Sequence, residues 1–347
     1  MKCNRSVFIW ALTLSVVNVS PACLFSQSSE QPPKSQKIDN DKPVDSARLQ
    51  KLALWHDPGP ISNLDLLYGQ GGKSGEPVPP FKFESEDLHG TNPKFDVRDA
   101  NHTRWRVKIG DEARPEVVAS RLLWAMGYFV NDDYVLPSAD IQGLQLTRGA
   151  THASDGHIVD ARFEKRPENQ QKLGTWRWKK NPFNGTKEFN GLRVMMAVMN
   201  SWDLKDVNNA VYEGKDSGGD IFLVSDIGST FGTNGLSWSK ARSKGDAETF
   251  EKSKFITRKT DTELDFATPA APSLIEAPNV KQYQMRRDLE WIGRNIPIAD
   301  ARWIGSLLKQ LSHEQLVDAF RAGQFRPDEI KTYVTALESR IHELAAL

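Results

Sequence analysis

Residues 81–109 alternate between apolar and polar side chains, which is the pattern of β-strands that bury one face. Turn residues separate three such runs: 81–85, 94–98 and 104–109. Gly90 and Pro93 lie in the first turn, and Asn101 lies in the second. This part of the chain is therefore predicted to form an antiparallel meander of three strands.

Helical spacing replaces the alternation after the third run. Val118, Leu122 and Met126 recur every four residues, so they would form the buried stripe of a helix. Pro115 suits the first turn of this helix, and Gly127 suits its end. Two more extended segments are predicted after the helix: 134–136 and 157–163.

The chain becomes mainly helical after residue 187. A stripe of large apolar residues fits the pattern of a buried helix: Leu192, Met195, Met196 and Met199. Ser312 and Gln315 have the spacing of a capping box, which marks the start of another helix. Strands followed by helices predict an α+β fold, with a mainly β part at 50–165 and a mainly α part at 166–347.

The first 22 residues have the pattern of a secretory signal peptide. Lys2 and Arg5 precede an apolar run at 7–17, and small residues close the segment at Ala22. The run is shorter than the roughly 20 residues that a membrane-spanning helix needs. We therefore expect export, with a periplasmic or outer-surface location.

Cys23 would become the first residue after cleavage at Ala22. This arrangement resembles a bacterial lipoprotein, in which the new N-terminal cysteine is acylated, although Ser20 and Pro21 depart from the usual motif. Two outcomes stay open: a membrane tether through Cys23, and plain secretion. Residues 23–49 are polar and rich in Pro, Ser, Gln and Lys, so we expect a disordered linker.

The charge balance and the cysteine count exclude several classes of protein. The 347 residues contain 45 Lys and Arg against 45 Asp and Glu, and a neutral chain does not fit a general nucleic-acid binder. Two cysteines cannot form a disulfide scaffold or a cysteine-rich zinc site. Residues 71–74 are Gly-Gly-Lys-Ser, but Leu67 stands where a phosphate-binding P-loop needs its first glycine. We therefore expect a glycine-rich surface turn there.

Two short motifs lie in the mainly α part. The first is Asp-Leu-Lys-x-x-Asn at 203–208, and the second is Asp-Ile-Gly at 226–228, which follows a predicted strand at 221–224. They resemble the catalytic loop and the D-F-G metal motif of the protein-kinase-like superfamily. Each motif alone is common in solvated turns and strand ends, whereas both in this order are far more specific.

The mainly β part resembles the same superfamily. Lys108 lies in the third predicted strand and Glu116 in the next helix, as the phosphate-binding lysine and its helix partner do. Gly90 lies in the turn where the phosphate-covering loop belongs. The resemblance spans roughly residues 80–235 and points to atypical branches, among them phosphoinositide kinases, HipA-like kinases and secretory-pathway kinases. It implies a bilobal fold with an N-terminal mainly β lobe and a C-terminal mainly α lobe.

The resemblance also implies roles for these residues, with ATP as the phosphate donor. Gly90 would cover the phosphates, Lys108 would neutralise their oxygens, and Glu116 would hold Lys108 in place. Asp203 would orient the acceptor hydroxyl, and Lys205 would stabilise the transferring phosphoryl group.

Asn208 and Asp226 would bind Mg²⁺ or Mn²⁺, because their oxygen atoms are hard ligands.

Two positions depart from the family pattern: Trp202 replaces the arginine that precedes the catalytic aspartate in many kinases, and Ile227 replaces the phenylalanine. The alternative interpretation of Lys108 is a surface charge on an edge strand.

Trp176 and Trp178 lie among basic residues just before the mainly helical region. One interpretation places them in a substrate cleft or over the nucleotide. Because aromatic side chains mostly lie in the core, we favour core packing.

These features predict an exported kinase-like phosphotransferase that moves phosphate from ATP to an unknown acceptor. The acceptor is a protein, a sugar or a lipid headgroup. One alternative is a pseudokinase-type binding protein without catalysis. The other is transfer of AMP by the same fold.

Overall fold

The computed structural model describes residues 52–89, 92–149, 153–166, 170–214, 219–232, 244–268 and 289–347. The predicted signal peptide, the predicted linker with Cys23, and Gly90 lie outside these described residues.

The strands are β1 (Leu52–Ala53), β2 (Phe81–Asp87), β3 (Lys94–Arg98), β4 (Arg104–Lys108), β5 (Asp133–Gln142), β6 (Ala153–Ser154), β7 (His157–Lys165), β8 (Lys172–Gly174), β9 (Ala210–Tyr212), β10 (Asp220–Leu223), β11 (Ile256–Lys259), β12 (Glu263–Phe266) and β13 (Ile296–Pro297). The helices are α1 (Ala113–Ala125), α2 (Lys187–Val198), α3 (Ala247–Glu251), α4 (Ile298–Leu308), α5 (His313–Ala322) and α6 (Pro327–Ala345). The fold is therefore mixed α and β. Within the described ranges, none of these helices combines the length and apolar character needed to span a membrane.

Five of the strands form a closed sheet. The predicted antiparallel meander is confirmed, since β2 pairs with β3 and β3 pairs with β4. β5 pairs with both β2 and β7, and β7 also pairs with β4, so the sheet closes on itself. The short strand β6 extends it beside β7.

Alternation along the closed sheet separates an apolar interior from a charged outer face. Val97, Trp105 and Val107 are fully buried in the apolar interior. Arg106 and Lys108 occupy the intervening positions of β4 and therefore point to the opposite face. The predicted helix, α1, packs near this charged face against β5 and β7.

The helices of the mainly α part share a large apolar core. Met195, Met196 and Met199 are fully buried there, as the predicted stripe requires. Trp176 and Trp178 lie in the same core, so the favoured interpretation of these two residues is confirmed. The predicted capping box is present at the start of α5.

Residues 52–66 join this core, although the sequence pattern assigns them to the mainly β part. β1 pairs with β10 in a four-stranded sheet of order β1-β10-β9-β8. Leu54, Ile61 and Leu66 are buried in the core that the helices share. A second small sheet, β11-β12-β13, adds further strands to the mainly α part. The end of β10 is the point from which the chain enters the candidate site.

Candidate active site

One cleft of about 350 Å³ contains the predicted site residues other than Gly90. They are distant in the sequence and yet line the same space: Lys108, Glu116, Asp203, Lys205, Asn208 and Asp226. Four segments supply them, namely the end of β4, the first turn of α1, the loop between α2 and β9, and the turn after β10. The fold therefore brings both motifs of the mainly α part to the charged face of the closed sheet.

Lys108 forms ion pairs with three carboxylates. Its Nζ atom lies 2.9 Å from Glu116 Oε2, 2.8 Å from Asp226 Oδ1 and 2.7 Å from Glu112 Oε2. Burial alone would lower the pKa of Lys108, but the carboxylates outweigh burial and raise it. Lys108 is thus an ammonium group at all physiological pH values, held between α1 and the turn after β10.

Glu112 directly precedes α1. It lines the cleft, although no sequence pattern identified it as a residue of the site. Its Oε1 atom lies 2.7 Å from Lys244 Nζ and accepts a hydrogen bond from Ser229 Oγ at 3.3 Å. Asn92 donates a hydrogen bond to the other oxygen, Oε2. Glu112 therefore connects several segments around Lys108. The sequence gives only a weak indication of this contact, namely that Glu112 lies four residues after Lys108.

Asp226 has a left-handed backbone conformation, with a φ of 54°, which non-glycine residues rarely adopt. The ladder of β10 ends at Leu223, and the chain leaves the sheet just before Asp226. The side chain is 46% exposed and lines the cleft. Burial would raise the pKa of Asp226, but Lys108 lowers it below its usual value. The carboxylate is therefore ionised and available to a ligand in the cleft.

Side chains at 202–205 are alternately buried in the core and exposed to the cleft, and this alternation orients the loop. Trp202 and Leu204 are buried in the core, whereas Asp203 and Lys205 line the cleft. Lys205 Nζ lies 2.8 Å from Asp203 Oδ2. Trp202 thus holds the loop in place by packing in the core.

Asn208 ends a short 3-10 turn that spans Asp206–Asn208. Its Nδ2 atom donates to the backbone oxygen of Asp203 at 3.4 Å. This orientation leaves Oδ1 as the atom that would act as a ligand for a cation. The backbone N–H of Trp178 donates to Asp206 Oδ1 at 3.0 Å. The buried Trp178 therefore anchors the turn that carries Asn208.

Arg162, on β7, is another residue of the cleft that its sequence pattern did not reveal. It lies directly opposite Lys108 in the antiparallel pairing of β4 with β7. Its guanidinium group lies 2.5 Å from Glu116 Oε1 and 2.7 Å from Glu164 Oε2. Burial raises the pKa of Glu116 above its usual value, although Arg162 and Lys108 both oppose this shift. The sequence does indicate the contact between Arg162 and Glu164, because these residues occupy alternate positions of one strand and so share a face.

Basic side chains outnumber acidic ones in the lining of the cleft. The basic residues are Lys94, Arg106, Lys108, Arg162, Arg166, Lys172 and Lys205. The acidic residues are Glu112, Glu116, Glu164, Asp203 and Asp226. Such a balance of fixed charges favours an anionic ligand.

Asn208 and Asp226 suit a divalent cation that binds together with a phosphate group. Mg²⁺ usually takes one or two protein carboxylates and completes its shell with water and phosphate oxygens. Among the described residues, no group of three or more His, Cys, Asp or Glu side chains is arranged to hold a metal. The donor set therefore fits a metal–phosphate complex better than a cage made of protein ligands alone.

No family model matches the chain, and no curated protein matches it in sequence. Its similarity to solved structures is low. The Helicobacter pylori proinflammatory kinase CtkA shares 9% identity at a TM-score of 0.34, over 77% of this chain and 99% of that chain. The golgi casein kinase shares 9% identity at a TM-score of 0.32, over 82% of this chain and 78% of that chain. TM-scores of this size do not by themselves establish a shared fold.

Proposed function

We propose that this cleft transfers a phosphoryl group from a nucleotide to an acceptor, in a kinase-like protein with a mainly β lobe and a mainly α lobe. The convergence of Lys108, Asp203 and Asp226 on one cleft carries the proposal, because three separate segments supply them. Phosphoryl transfer depends mainly on positioning and on neutralising charge around the phosphates. The side chains of the cleft supply both.

Lys108 and Glu116 form the donor side of the proposed site. Lys108 binds oxygens of the donor phosphates, and its raised pKa keeps it charged while it does so. Glu116 orients Lys108 through the 2.9 Å ion pair. Asn208 and Asp226 would hold Mg²⁺ or Mn²⁺, which would neutralise further charge on the phosphates.

Asp203 and Lys205 form the acceptor side of the proposed site. Asp203 orients the acceptor hydroxyl and takes its proton as the oxygen attacks the γ-phosphorus. The bond from that phosphorus to the bridging oxygen breaks, and the nucleoside diphosphate leaves. Lys205, which is paired with Asp203 at 2.8 Å, is close enough to stabilise charge on the transferring group. The acceptor would be a protein, a sugar or a lipid headgroup.

We further propose that the protein acts outside the cytoplasm, at the periplasm or the outer surface. The support is the signal-peptide pattern at 1–22 and the cysteine that follows it. Fractionation of cells that express the wild type or Cys23→Ala tests this location. Release of only the variant from the membrane fraction supports a lipid anchor, and retention of both in the cytoplasm contradicts export.

Labelled ATP separates the candidate reactions. The purified chain is incubated with Mn²⁺ and ATP labelled at the γ or the α position, with protein, sugar and lipid-headgroup acceptors. Transfer of the γ label supports the kinase proposal, and transfer of the α label supports AMP transfer. Thermal stabilisation by nucleotide without transfer supports a binding protein. Absence of both transfer and stabilisation contradicts phosphoryl transfer and AMP transfer.

The variant Asp226→Asn tests the metal assignment. It preserves the shape of the side chain but removes the charge, so we expect it to fold and to lose the Mn²⁺-dependent thermal shift with ATP. Asp220→Asn, on β10 but outside the lining of the cleft, is the matched control and should keep the full shift. A full shift in Asp226→Asn would show that the metal assignment is wrong.

A further inference from the structure

We infer that Arg162 holds Glu116 and the first half of α1 in the position that the cleft requires, so that the cleft is preformed before a nucleotide binds. Arg162 is then a positioning residue, because it acts on the donor phosphates through Glu116 and Lys108. The inference rests on the proposed function for its effect on phosphoryl transfer. The anchoring of α1 follows from contacts within the chain.

Arg162 and Lys108 are two buried cations that require an anion between them. They face each other across the β4–β7 pairing, where opposite side chains lie about 5 Å apart. Buried like charges repel each other and have lost their hydration. Glu116 compensates for both, with Oε1 at 2.5 Å from Arg162 and Oε2 at 2.9 Å from Lys108. One carboxylate of α1 thus bridges two strands of the sheet.

The two cations differ in their remaining partners. Lys108 also contacts Glu112 and Asp226, and phosphate oxygens of a bound nucleotide would compete with these carboxylates. Arg162 instead contacts Glu164, a buried neighbour on its own strand, at 2.7 Å, and the buried Asp133 of β5 at 3.7 Å. Phosphate oxygens of a ligand can therefore replace these partners of Lys108, while Arg162 keeps Glu116 in place.

A second attachment of α1 lies one turn further along the helix. Arg121 donates to the backbone oxygen of Asp133 at 2.7 Å, and Ser120 Oγ donates to Asp133 Oδ2 at 3.2 Å. Asp133 lies on β5, in the same closed sheet. Loss of Arg162 would remove the first attachment and a 3.7 Å ion pair with Asp133, but it would leave the two hydrogen bonds of the second attachment. Loss of Lys108 would remove its own ion pairs with Glu112 and Glu116, but it would leave the Arg162–Glu116 pair and the hydrogen bonds to Asp133.

Hydrogen exchange of the full chain tests the anchoring without relying on activity. The measured quantity is the exchange rate of α1 amides relative to those of α6, so that changes in global stability cancel. We expect this ratio to rise about tenfold in Arg162→Met and to stay within about twofold of the wild type in Lys108→Met. Arg193→Met, which removes a buried arginine of α2, is the matched control and should leave the ratio unchanged. An unchanged ratio in Arg162→Met, or an equal rise in Lys108→Met, would overturn the inference.

Steady-state kinetics supply a readout that loss of stability alone would not move. In Arg162→Met we expect kcat to fall about 100-fold, because Lys108 is misplaced, while KM for ATP stays within about threefold. Arg162→Lys keeps the charge but not the planar fork, so it should restore kcat to within about tenfold of the wild type. Arg193→Met should lower the melting temperature and leave kcat unchanged. A rise in KM at constant kcat in Arg162→Met would overturn the positioning role.

The two proposals fail in different ways. A wild type that transfers no label and binds no nucleotide contradicts the proposed function, while the exchange ratio still decides the role of Arg162. Should Arg162→Met not fold, Arg162→Lys decides the question, with an expected rise of about threefold in the exchange ratio. A wild-type ratio in Arg162→Lys would then overturn the inference.

Discussion

Asp133 is a fully buried carboxyl group behind the cleft. Burial raises its pKa to about 8, although Arg162 and Arg121 oppose this shift. The ordinary value for an aspartate in an unfolded chain is about 3.9. Between these two values the folded protein binds one proton more than the unfolded chain does.

Asp133 is therefore expected to make the free energy of unfolding fall as the pH rises from about 4 to about 8. Its stabilising contribution is fully present below the unfolded pKa and is lost as the pH rises through the folded pKa of about 8. The slope from one such group can reach about 1.4 kcal/mol per pH unit. Urea denaturation at a series of pH values measures it, and Asp133→Asn should lack this component because an amide does not ionise.

An exposed aspartate provides the control for this pH dependence. Asp155 lies in an exposed turn with a φ of 50°, which asparagine also tolerates, so Asp155→Asn should retain the wild-type pH dependence. Identical pH profiles for the wild type and Asp133→Asn would contradict the assignment.

The sequence predicts those residues of the cleft that belong to short motifs. Asp203 and Asn208 are five positions apart in one loop, so their joint presence is visible without knowledge of the fold. Arg162 and Glu112 are different, because their contacts depend on the pairing of β4 with β7 and on the position of α1. No local spacing encodes those distances. Gly90, the predicted phosphate-covering residue, stays a prediction because it lies outside the described residues.

At the scale of elements, Gly228 sets the distance between the turn after β10 and the start of α1. A Cβ atom at this position would lie 2.7 Å from both the Cβ atom and the backbone oxygen of Glu112. We therefore expect Gly228→Ala to push the two segments apart, with a loss of about 1–3 kcal/mol in the free energy of unfolding. It should also weaken nucleotide binding, because Lys108 and Asp226 lie on the two sides of this contact. Urea denaturation and ATP titration with Mn²⁺ measure the two effects.

Gly185 is a matched control, since it has space for a side chain but a φ of 85°. Gly185→Ala should therefore introduce backbone strain alone, of about 1 kcal/mol, and leave nucleotide binding unchanged. Equal effects of the two substitutions on nucleotide binding would contradict the steric explanation for Gly228.

The strands and helices themselves were more predictable than their partners. The three strands of the meander and the helix that follows them appear where the alternation and the helical spacing predict them. The pairing of β7 with β4, which closes the sheet, was not predictable, because hydrophobic periodicity identifies a strand and not its neighbour. The short strands β11 and β12 were not predicted either, since runs of four residues carry little periodicity.

At the scale of the whole molecule, residues 52–66 connect the start of the described chain to the mainly α part. Gln315 Nε2 donates to the backbone oxygens of Ile61 and Leu64, at 2.8 Å and 2.9 Å. Trp55 Nε1 donates to the backbone oxygen of Met126 at 2.7 Å. This segment therefore contacts both α5 and the end of α1, so sequence order does not predict which part of the protein it stabilises.

Deleting the chain up to residue 80 is expected to abolish cooperative folding, whereas deleting it up to residue 51 is not. The longer deletion removes Leu54, Ile61 and Leu66, and each fully buried side chain of this kind contributes about 1.5–3 kcal/mol. Their combined loss is comparable to the whole stability of a typical domain, about 5–15 kcal/mol. Urea denaturation of chains that begin at residues 24, 52 and 81 tests this, and the first two should share one midpoint. Cooperative unfolding of the shortest chain at that same midpoint would mean that the closed sheet and the helices hold together without residues 52–66.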